Sequence, residues 1–443
     1  MVYAKNVWVE LSETIEPTVF VGYEKTSVDA KVLAIVVDGE KVSAANEGTS
    51  CEILLDTTAF YAEMGGQIGD SGVLMAGDAC DIRVTDAQAR EGGLISHLSE
   101  VVSGSISVGD EVEVCVERGR RMLIARNHTA THLLDAALKN VLGDHVNQAG
   151  SLVTDERLRF DFTHFEAVSK EDLNLIESLV NMQIIAAKPV ISQEMGLEEA
   201  KASGAVALFG EKYSDTVRVV SCGAEDKPFS RELCGGVHAT NTAELGQFKI
   251  VSESSVGSNV RRIEALTSLG ALHYVAQQQQ YLDNAAAKLK CSAADLDGRI
   301  DALQAKNKEL ENKLKKALTG GASNIVADAI AGAIDLDGYK CVIARVDGLA
   351  AGEMRSVWDS IRDNLGDACA CVLASATPDN KVALIAAATD KAVEAGFVGG
   401  KIIKQIAPCV NGRGGGRPNM AQAGGSDTSK IDAALDAARE IVK

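Results

Sequence analysis

The sequence predicts an α+β multidomain protein. Three observations carry that expectation: the length, short β-rich runs that give way to helices, and a leucine heptad ahead of a C-terminal α/β pattern. At 443 residues the chain exceeds the roughly 100 to 200 residues of one ordinary domain, so two to four are expected. A hydrophobic fraction of 46% supplies real cores, while 4% aromatic residues and 41 glycines predict small-residue packing and tight turns.

Residues 7 to 118 alternate the runs VWVEL, KVLAIVV, CEILLDTT, CDIRVTDA and EVEVCVE with Gly, Asp and Ser clusters. That is the pattern of an antiparallel sheet or small barrel over 1–118. The stretch 57 to 72, TTAFYAEMGGQIGDSG, sets Tyr61, Glu63, Gln67 and Asp70 among four glycines. It reads equally as a hairpin loop or as a loop lining a site. From 119 to 142 apolar residues recur at helical spacing and stop at Gly143, which predicts a helix carrying His128 and His132. Residues 171 to 187 predict a second amphipathic helix, and RLRFDF, PVISQEM, TVRVVSC and FKIVSES predict strands. Residues 119–269 are therefore expected to form an α+β domain with a partly covered antiparallel sheet.

Between 270 and 320, Leu282, Leu289, Leu296, Leu303 and Leu310 fall seven apart, a coiled-coil or hairpin signature. The interruption CSAADLDG, with Ser292 three residues before Asp295, favours two helices joined by a turn. Beyond it, 321–443 alternates strands such as KCVIARVDG and CACVLASA with helical stretches, as an α/β domain does.

No apolar run reaches the roughly 18 to 20 residues of a membrane span, and MVYAKNVWVE lacks a signal core, so a cytoplasmic protein without a membrane partner is expected. Ten cysteines are scattered without a disulfide framework and read as small buried hydrophobes. A net charge of −18 argues against non-specific polyanion binding but leaves room for a local basic patch.

The chemistry-bearing residues come in two pairs. His128 and His132 lie four apart, so a helix turns both imidazoles to one face. That spacing alone also fits an ordinary core or surface role. SRELCGGVHAT adds Cys234 and His238 around two glycines, where a tight bend would let thiolate and imidazole converge. Three nitrogens and one sulfur suit one tetrahedral zinc ion. Four protein ligands fit a closed structural site, whereas a catalytic zinc keeps a position for water, and spacing does not choose. No Glu lies between the histidines, where zinc proteases place their base. Thr129 and Thr131 share the helix turn of the histidines and could reach a substrate or serve helix packing. Arg261 and Arg262 follow the Gly- and Ser-rich SSVGSN and are candidates for phosphate contact, as are Arg413 and Arg417 in NGRGGGRP near Lys401 and Lys404.

RNHTATHLLDAAL, HVNQAGSL, RLRFDFTHFE, GAVALFGEKY, CGGVHATNTAELGQFKIVSESSVGSNVRRIEA and FYAEMGGQIGDSG together resemble the editing half of alanyl-tRNA synthetases and the free-standing AlaX editors. The tail NGRGGGRPNMAQAGG is similar to that family's glycine-rich C-terminal signature. The resemblance implies an accessory β-barrel (1–118), an editing domain (119–269), a helical hairpin (270–320) and a DHHA1-type tRNA-binding domain (321–443). It implies hydrolysis of serine or glycine wrongly esterified to tRNA(Ala), no aminoacylation by this chain alone, and homodimerisation through the C-terminal half. The family's zinc ligands fall on His128, His132, Cys234 and His238, and its editing glutamine on Gln148. Catalytic parts are thereby expected for Gln148, Cys234 and Thr129, with the backbone N–H groups of Gly235 and Gly236 steadying an oxyanion. Where relatives commonly have threonine in CGGTH, this chain has Val237. The competing reading is a non-catalytic tRNA-binding and dimerisation module with a purely structural zinc.

Overall fold

In a computed structural model of the chain, residues 7–443 are described apart from 78–79, 208–212 and 225, and apart from the side chains of 315–325. Residues 208–212 of the GAVALFGEKY segment thus lie outside the described residues. The chain forms two compact units, one up to Asn284 and one from Ala285 onward.

The first unit opens with α1 (Val7–Ser12), where VWVEL was expected to be a strand. The alternation of Val7, Val9 and Leu11 fits a strand, but Trp8 and Leu11 are the buried pair, spaced as a helix requires, and Arg90 caps the Trp8 ring at 4.9 Å. The longer strands that follow are β1 (Ser27–Val37), β2 (Ser50–Leu55), β3 (Gly72–Ala76), β4 (Cys80–Ala89), β5 (Ile95–Ser103) and β6 (Glu111–Val116). They pair antiparallel in the order β6-β3-β4-β5-β2-β1, and β6 pairs with β1 to close the ring. Closure removes the free edges of the sheet. Inward residues such as Ile35, Ile53, Leu74, Ile82 and Val114 fill the interior.

Next come α2 (Arg118–Leu142), β7 (Gln148–Val153), β8 (Leu158–Thr163), α3 (Lys170–Ile185), β9 (Val190–Gly196), β10 (Thr216–Gly223), β11 (Pro228–Leu233), β12 (Phe248–Gly257) and β13 (Val260–Thr267). Gly143 stops α2 because it adopts φ 109°, which a side chain would resist. Ser169 caps α3 by accepting from the Asp172 amide. Two antiparallel sheets result, β7-β8-β13-β12 and β9-β10-β11. Leu133, Leu134, Ala137 and Leu138 of α2 pack with Phe160, Phe162, Ile176 and Val180 into one core. The polar face of α2 is thereby free to carry a site. Two helices follow, α4 (Ser268–Leu289) and α5 (Leu296–Ala331), with Lys290 at φ 53° in the turn between them and the Ser292 hydroxyl donating to Asp295 at 2.6 Å. α5 runs on past residue 320.

The second unit holds a six-stranded sheet of β14 (Ile334–Leu336), β15 (Tyr339–Arg345), β16 (Cys369–Ala376), β17 (Val382–Ala388), β18 (Arg413–Arg417) and β19 (Met420–Gly425), ordered β14-β15-β16-β17-β19-β18. Only the β15–β16 pairing is parallel. VALIAAA in β17 is buried throughout, as a strand covered on both faces must be. Helix α6 (Ala351–Leu365) covers one face, and α7 (Gly399–Ile406) with α8 (Ile431–Val442) the other. Among the described residues no helix is long and apolar enough to cross a membrane.

Candidate metal centre

Helical spacing on α2 and the CGGVH segment after β11 bring His128, His132, Cys234 and His238 together, with one ligand atom from each within 4.8 Å of the others. The Sγ of Cys234 lies 3.4 Å from Nε2 of His128 and 3.3 Å from Nε2 of His238. The amide of Gly236 donates to the same sulfur at 3.4 Å, as befits a thiolate.

Each imidazole has its other nitrogen engaged or facing a polar group. Nδ1 of His128 is 2.7 Å from Oε1 of Gln67, Nδ1 of His238 is 3.1 Å from the Thr129 hydroxyl, and Nε2 of His132 faces Glu232 at 3.5 Å. Nδ1 of His132 is buried with no hydrogen-bond partner among the described residues. A buried unpaired nitrogen is costly unless something binds its lone pair, and outer partners for each histidine are the usual setting of a metal site. Burial drives the three rings toward their neutral, ligating form: His132 is held down to about 3, and His128 and His238 well below their ordinary value. Burial also pushes Glu232 up to about 7 and Asp135 up to about 6. With the His132 ring held neutral by burial, its contact with Glu232 is a polar contact rather than an ion pair.

Neither glycine of CGGVH has positive φ, and Gly236 provides room rather than a bend. A Cβ on Gly236 would lie 2.0 Å from Cε1 of His128, whereas one on Gly235 would meet nothing closer than 3.7 Å. Arg218 buttresses the segment, donating to the carbonyls of Cys234 (2.9 Å) and Gly236 (2.8 Å) and stacking on Tyr23 at 4.1 Å. The Tyr23 hydroxyl donates to the Gly235 carbonyl at 2.5 Å. The Val237 side chain enters a small apolar cluster with Tyr61 and Ala125.

The expected substrate reach of Thr129 needs correction. Its side chain is fully buried, and its hydroxyl donates to the Ala125 carbonyl (2.9 Å) while accepting from the Ala239 amide (3.1 Å) and facing His238. One proton and two lone pairs are all committed, so Thr129 holds His238 in place. Thr131 is likewise bonded back to the Asn127 carbonyl. The Gly236 amide, spent on sulfur, is not available to an oxyanion. Gln148 bonds to Ser151 (3.3 Å) rather than to any of the four ligands. Ser151 in turn presses on Gly66, where a Cβ would come within 2.5 Å of its hydroxyl.

Arg261 is clamped on Glu253 (2.5 and 2.7 Å) and Arg262 on Asp161 (2.7 and 2.8 Å), so a phosphate would have to displace a carboxylate from either. The glycine-rich tail was expected to be a mouldable loop. It is instead the edge strand β18, and its glycines serve close packing: a Cβ on Gly414 or Gly416 would lie 2.2 or 2.4 Å from β19 backbone. Arg413 and Arg417 are exposed and share one face of that strand, and Lys404 lies over Gly415 between them, its Cε 3.7 Å from where a Cβ would be.

Sequence reasoning missed the parts played by Gln67, Arg218 and Tyr23. Gln67 had a signal, since a polar residue inside a glycine cluster marks a loop that lets something approach closely. Arg218, in the strand TVRVVSC, had none. A cavity of about 370 Å³ borders His238 and Arg218, with Glu24, Ser192 and Glu194 in its wall.

Three family descriptions match the chain: "tRNA synthetases class II (A)" over residues 3–120, "Threonyl and Alanyl tRNA synthetase second additional domain" over 217–264, and "DHHA1 domain" over 338–443. The alanine–tRNA ligase 1 of Lachnoclostridium phytofermentans is 43% identical over 434 residues, covering 97% of this chain and 49% of that protein. The alanine–tRNA ligase of Bacillus velezensis is 45% identical over 431 residues, covering 97% and 48%. The chain spans about half the length of the curated relatives it matches. A crystal structure of the C-Ala domain from Aquifex aeolicus alanyl-tRNA synthetase aligns with 25% of this chain and 96% of that one at 20% identity. Its TM-score of 0.23 is too low to build on.

Proposed function

The chain belongs to the alanyl-tRNA synthetase family, and from that premise we propose that it hydrolyses seryl- or glycyl-tRNA(Ala) at a zinc site made by His128, His132, Cys234 and His238. The observation that carries the reading is the convergence of these four side chains, of which His238 borders a cavity. Three nitrogens and a thiolate are a zinc donor set, and the neutral rings and the orphaned His132 nitrogen fit it. Bound there, zinc supplies a Lewis acid able to polarise an ester oxygen or a water.

The chain's own residues do the rest. Glu24 and Glu194 offer carboxylates for the α-ammonium of an esterified amino acid, and Ser192 a hydroxyl for a serine side chain. Polar recognition is needed because an apolar pocket rejects an added hydroxyl by only about a hundredfold, whereas a site that hydrogen-bonds the hydroxyl disfavours alanine far more strongly. Gln148, which the resemblance makes the editing glutamine, steadies the carbonyl oxygen, and Cys234 serves as a ligand. Lys404, Arg413 and Arg417 form a row of cations for the tRNA backbone, with Arg261 and Arg262 available only by exchange of their carboxylates. Exposed Leu303, Leu310 and Leu314 on α5 provide an apolar stripe for a second copy. The domain assignment proposed is a barrel to 118, an editing domain to 269, a hairpin to 320 and a tRNA-binding domain to 443, in a cytoplasmic protein.

The test is single-turnover hydrolysis of seryl-, glycyl- and alanyl-tRNA(Ala) by the full chain, with zinc removed and restored. Seryl and glycyl esters should be cleaved and alanyl spared, and Cys234→Ala should lose both zinc and activity. Hydrolysis that persists in zinc-free Cys234→Ala refutes the metal's part. No hydrolysis by the zinc-loaded chain refutes the enzymatic reading in favour of a binding module.

A further inference from the structure

We propose that Gln67, carried by the barrel's glycine loop, is a positioning residue that decides which nitrogen His128 turns to the metal. The inference deepens the zinc reading above but concerns metal binding, not hydrolysis. Oε1 of Gln67 lies 3.0 Å from the backbone nitrogen of Val237. A backbone N–H can only donate, so this end of the amide is its oxygen, which settles an assignment that shape alone leaves open. The same oxygen lies 2.7 Å from Nδ1 of His128. It can only accept, so Nδ1 carries the ring proton and the lone pair is left on Nε2, the nitrogen 3.4 Å from the Cys234 sulfur.

The oxygen is held where it is from several directions. Gln67 is fully buried, and its backbone pairs with Met64 in both directions (3.1 and 3.2 Å). The carbonyl of Gly66 before it accepts from the Val153 amide at 2.7 Å, seating the loop on β7. Gly236 allows the approach, because a Cβ there would intrude to 2.9 Å from Oε1. The amide nitrogen of Gln67 has no acceptor among the described residues, so the oxygen end alone anchors the side chain. A residue 61 positions before His128 thus fixes its tautomer. Metal affinity of α2 and the CGGVH segment consequently depends on the barrel that precedes them.

The experiment titrates zinc into the full chain against a chromogenic chelator for wild type, Gln67→Leu and Gln67→Glu. Loss of the acceptor in Gln67→Leu should weaken zinc by roughly 10- to 100-fold, the usual effect of removing a histidine's outer partner. Gln67→Glu keeps an acceptor oxygen and should bind at least about as tightly as wild type. Unchanged affinity in Gln67→Leu overturns the proposal, and so does a loss in Gln67→Glu equal to that in Gln67→Leu, which would make Gln67 a space-filler. Long-range ¹H–¹⁵N spectra of histidine-labelled wild type provide a readout that needs no variant to fold: His128 should show a protonated Nδ1, and the opposite tautomer overturns the proposal. A wild-type chain that binds no zinc sinks the metal reading itself, whereas zinc-binding wild type with an indifferent Gln67→Leu sinks this inference alone.

Discussion

Two adjacent glycines in CGGVH should respond oppositely to the same added methyl group. In Gly236→Ala the new Cβ falls 2.0 Å from Cε1 and 2.4 Å from Nδ1 of His128, and 2.9 Å from Oε1 of Gln67. Ordinary contact begins near 3.4 Å, so the imidazole must retreat by about 1.4 Å, or the Cys234–His238 segment must back away from it. The ring has little room to retreat, because Gln67 holds its Nδ1 and it lies within 4.3 Å of the His238 ring centre. Overpacking of this kind costs roughly 1 to 3 kcal/mol of stability. Moving a ligand should cost at least the roughly 10- to 100-fold in affinity seen for loss of an outer partner. In Gly235→Ala the new atom meets only Met64 Cε at 3.7 Å and the Tyr23 hydroxyl at 3.9 Å. That variant should stay within about twofold of wild type in zinc affinity, matching the ±0.5 kcal/mol of an unobtrusive substitution. The assay is zinc competition on both variants, with thermal melts as the folding control. Equal affinities in the two would refute the claim that Gly236 is there to admit His128.

Other outcomes follow from parts of the chain away from the ligands. His97 is buried between the Thr58 hydroxyl (2.8 Å) and the Ile53 carbonyl (2.9 Å), and burial lowers it to about 4. Its folded value lies below the ordinary 6.5, so its contribution is complete above that pH and is lost as pH falls toward 4, by up to about 3 kcal/mol. Urea midpoints across that window should fall more steeply for wild type than for His97→Asn, and parallel slopes would contradict the assignment. Asp70→Ala leaves the buried Arg121 guanidinium without its carboxylate and should cost about 3 to 5 kcal/mol in chemical denaturation, with a loss under 1 pointing to rescue by the Gly22 and Ala59 carbonyls. Replacing Lys404, Arg413 and Arg417 together by alanine should lower the slope of log affinity for tRNA against log salt by about 2 to 3 and leave zinc content unchanged. An unaltered slope would remove the β18 row from the RNA interface.

What could be read from the sequence was what lies along one element. The α2 helix, its stop at Gly143, the turn at Ser292 and the pairing of His128 with His132 all follow from periodicity or local backbone chemistry, and each has its counterpart in the structure. Lateral approach between elements left little trace. Thr129, one residue from a ligand, looked able to touch a substrate, but helix geometry turns it onto its own backbone and the far side of His238. Arg261 and Arg262 looked like phosphate clamps because their carboxylates sit across the sheet, at Glu253 and Asp161, where no spacing rule reaches. VWVEL failed for a different reason: over five residues the strand and helix periods share apolar positions, and only the burial of Trp8 with Leu11 separates them.

The glycines carry the most consequential ambiguity. In CGGVH and in RGGGR the absence of side chains suggested bending and mobility, yet in both segments it serves contact, with His128 in one and with β19 in the other. A glycine needed for φ and a glycine needed for space are identical in sequence, but they differ in what alanine would do. At a positive-φ position the penalty stays in the backbone, whereas at Gly236 it is transmitted to a candidate metal ligand and to Gln67. Gly66 and Gly236 lie on the two segments that close on the His128 imidazole; Gly66 combines a positive φ of 82° with close approach to Ser151, whereas Gly236 provides room alone. Double substitution tests whether the two act together: Gly66→Ala strains the loop backbone at φ 82° and pushes it away from Ser151, and Gly236→Ala pushes the ring. If both act through the Gln67–His128 contact, their effects on zinc affinity should be markedly non-additive, since the second substitution finds the contact already broken. Strict additivity would mean that the two glycines serve separate ends.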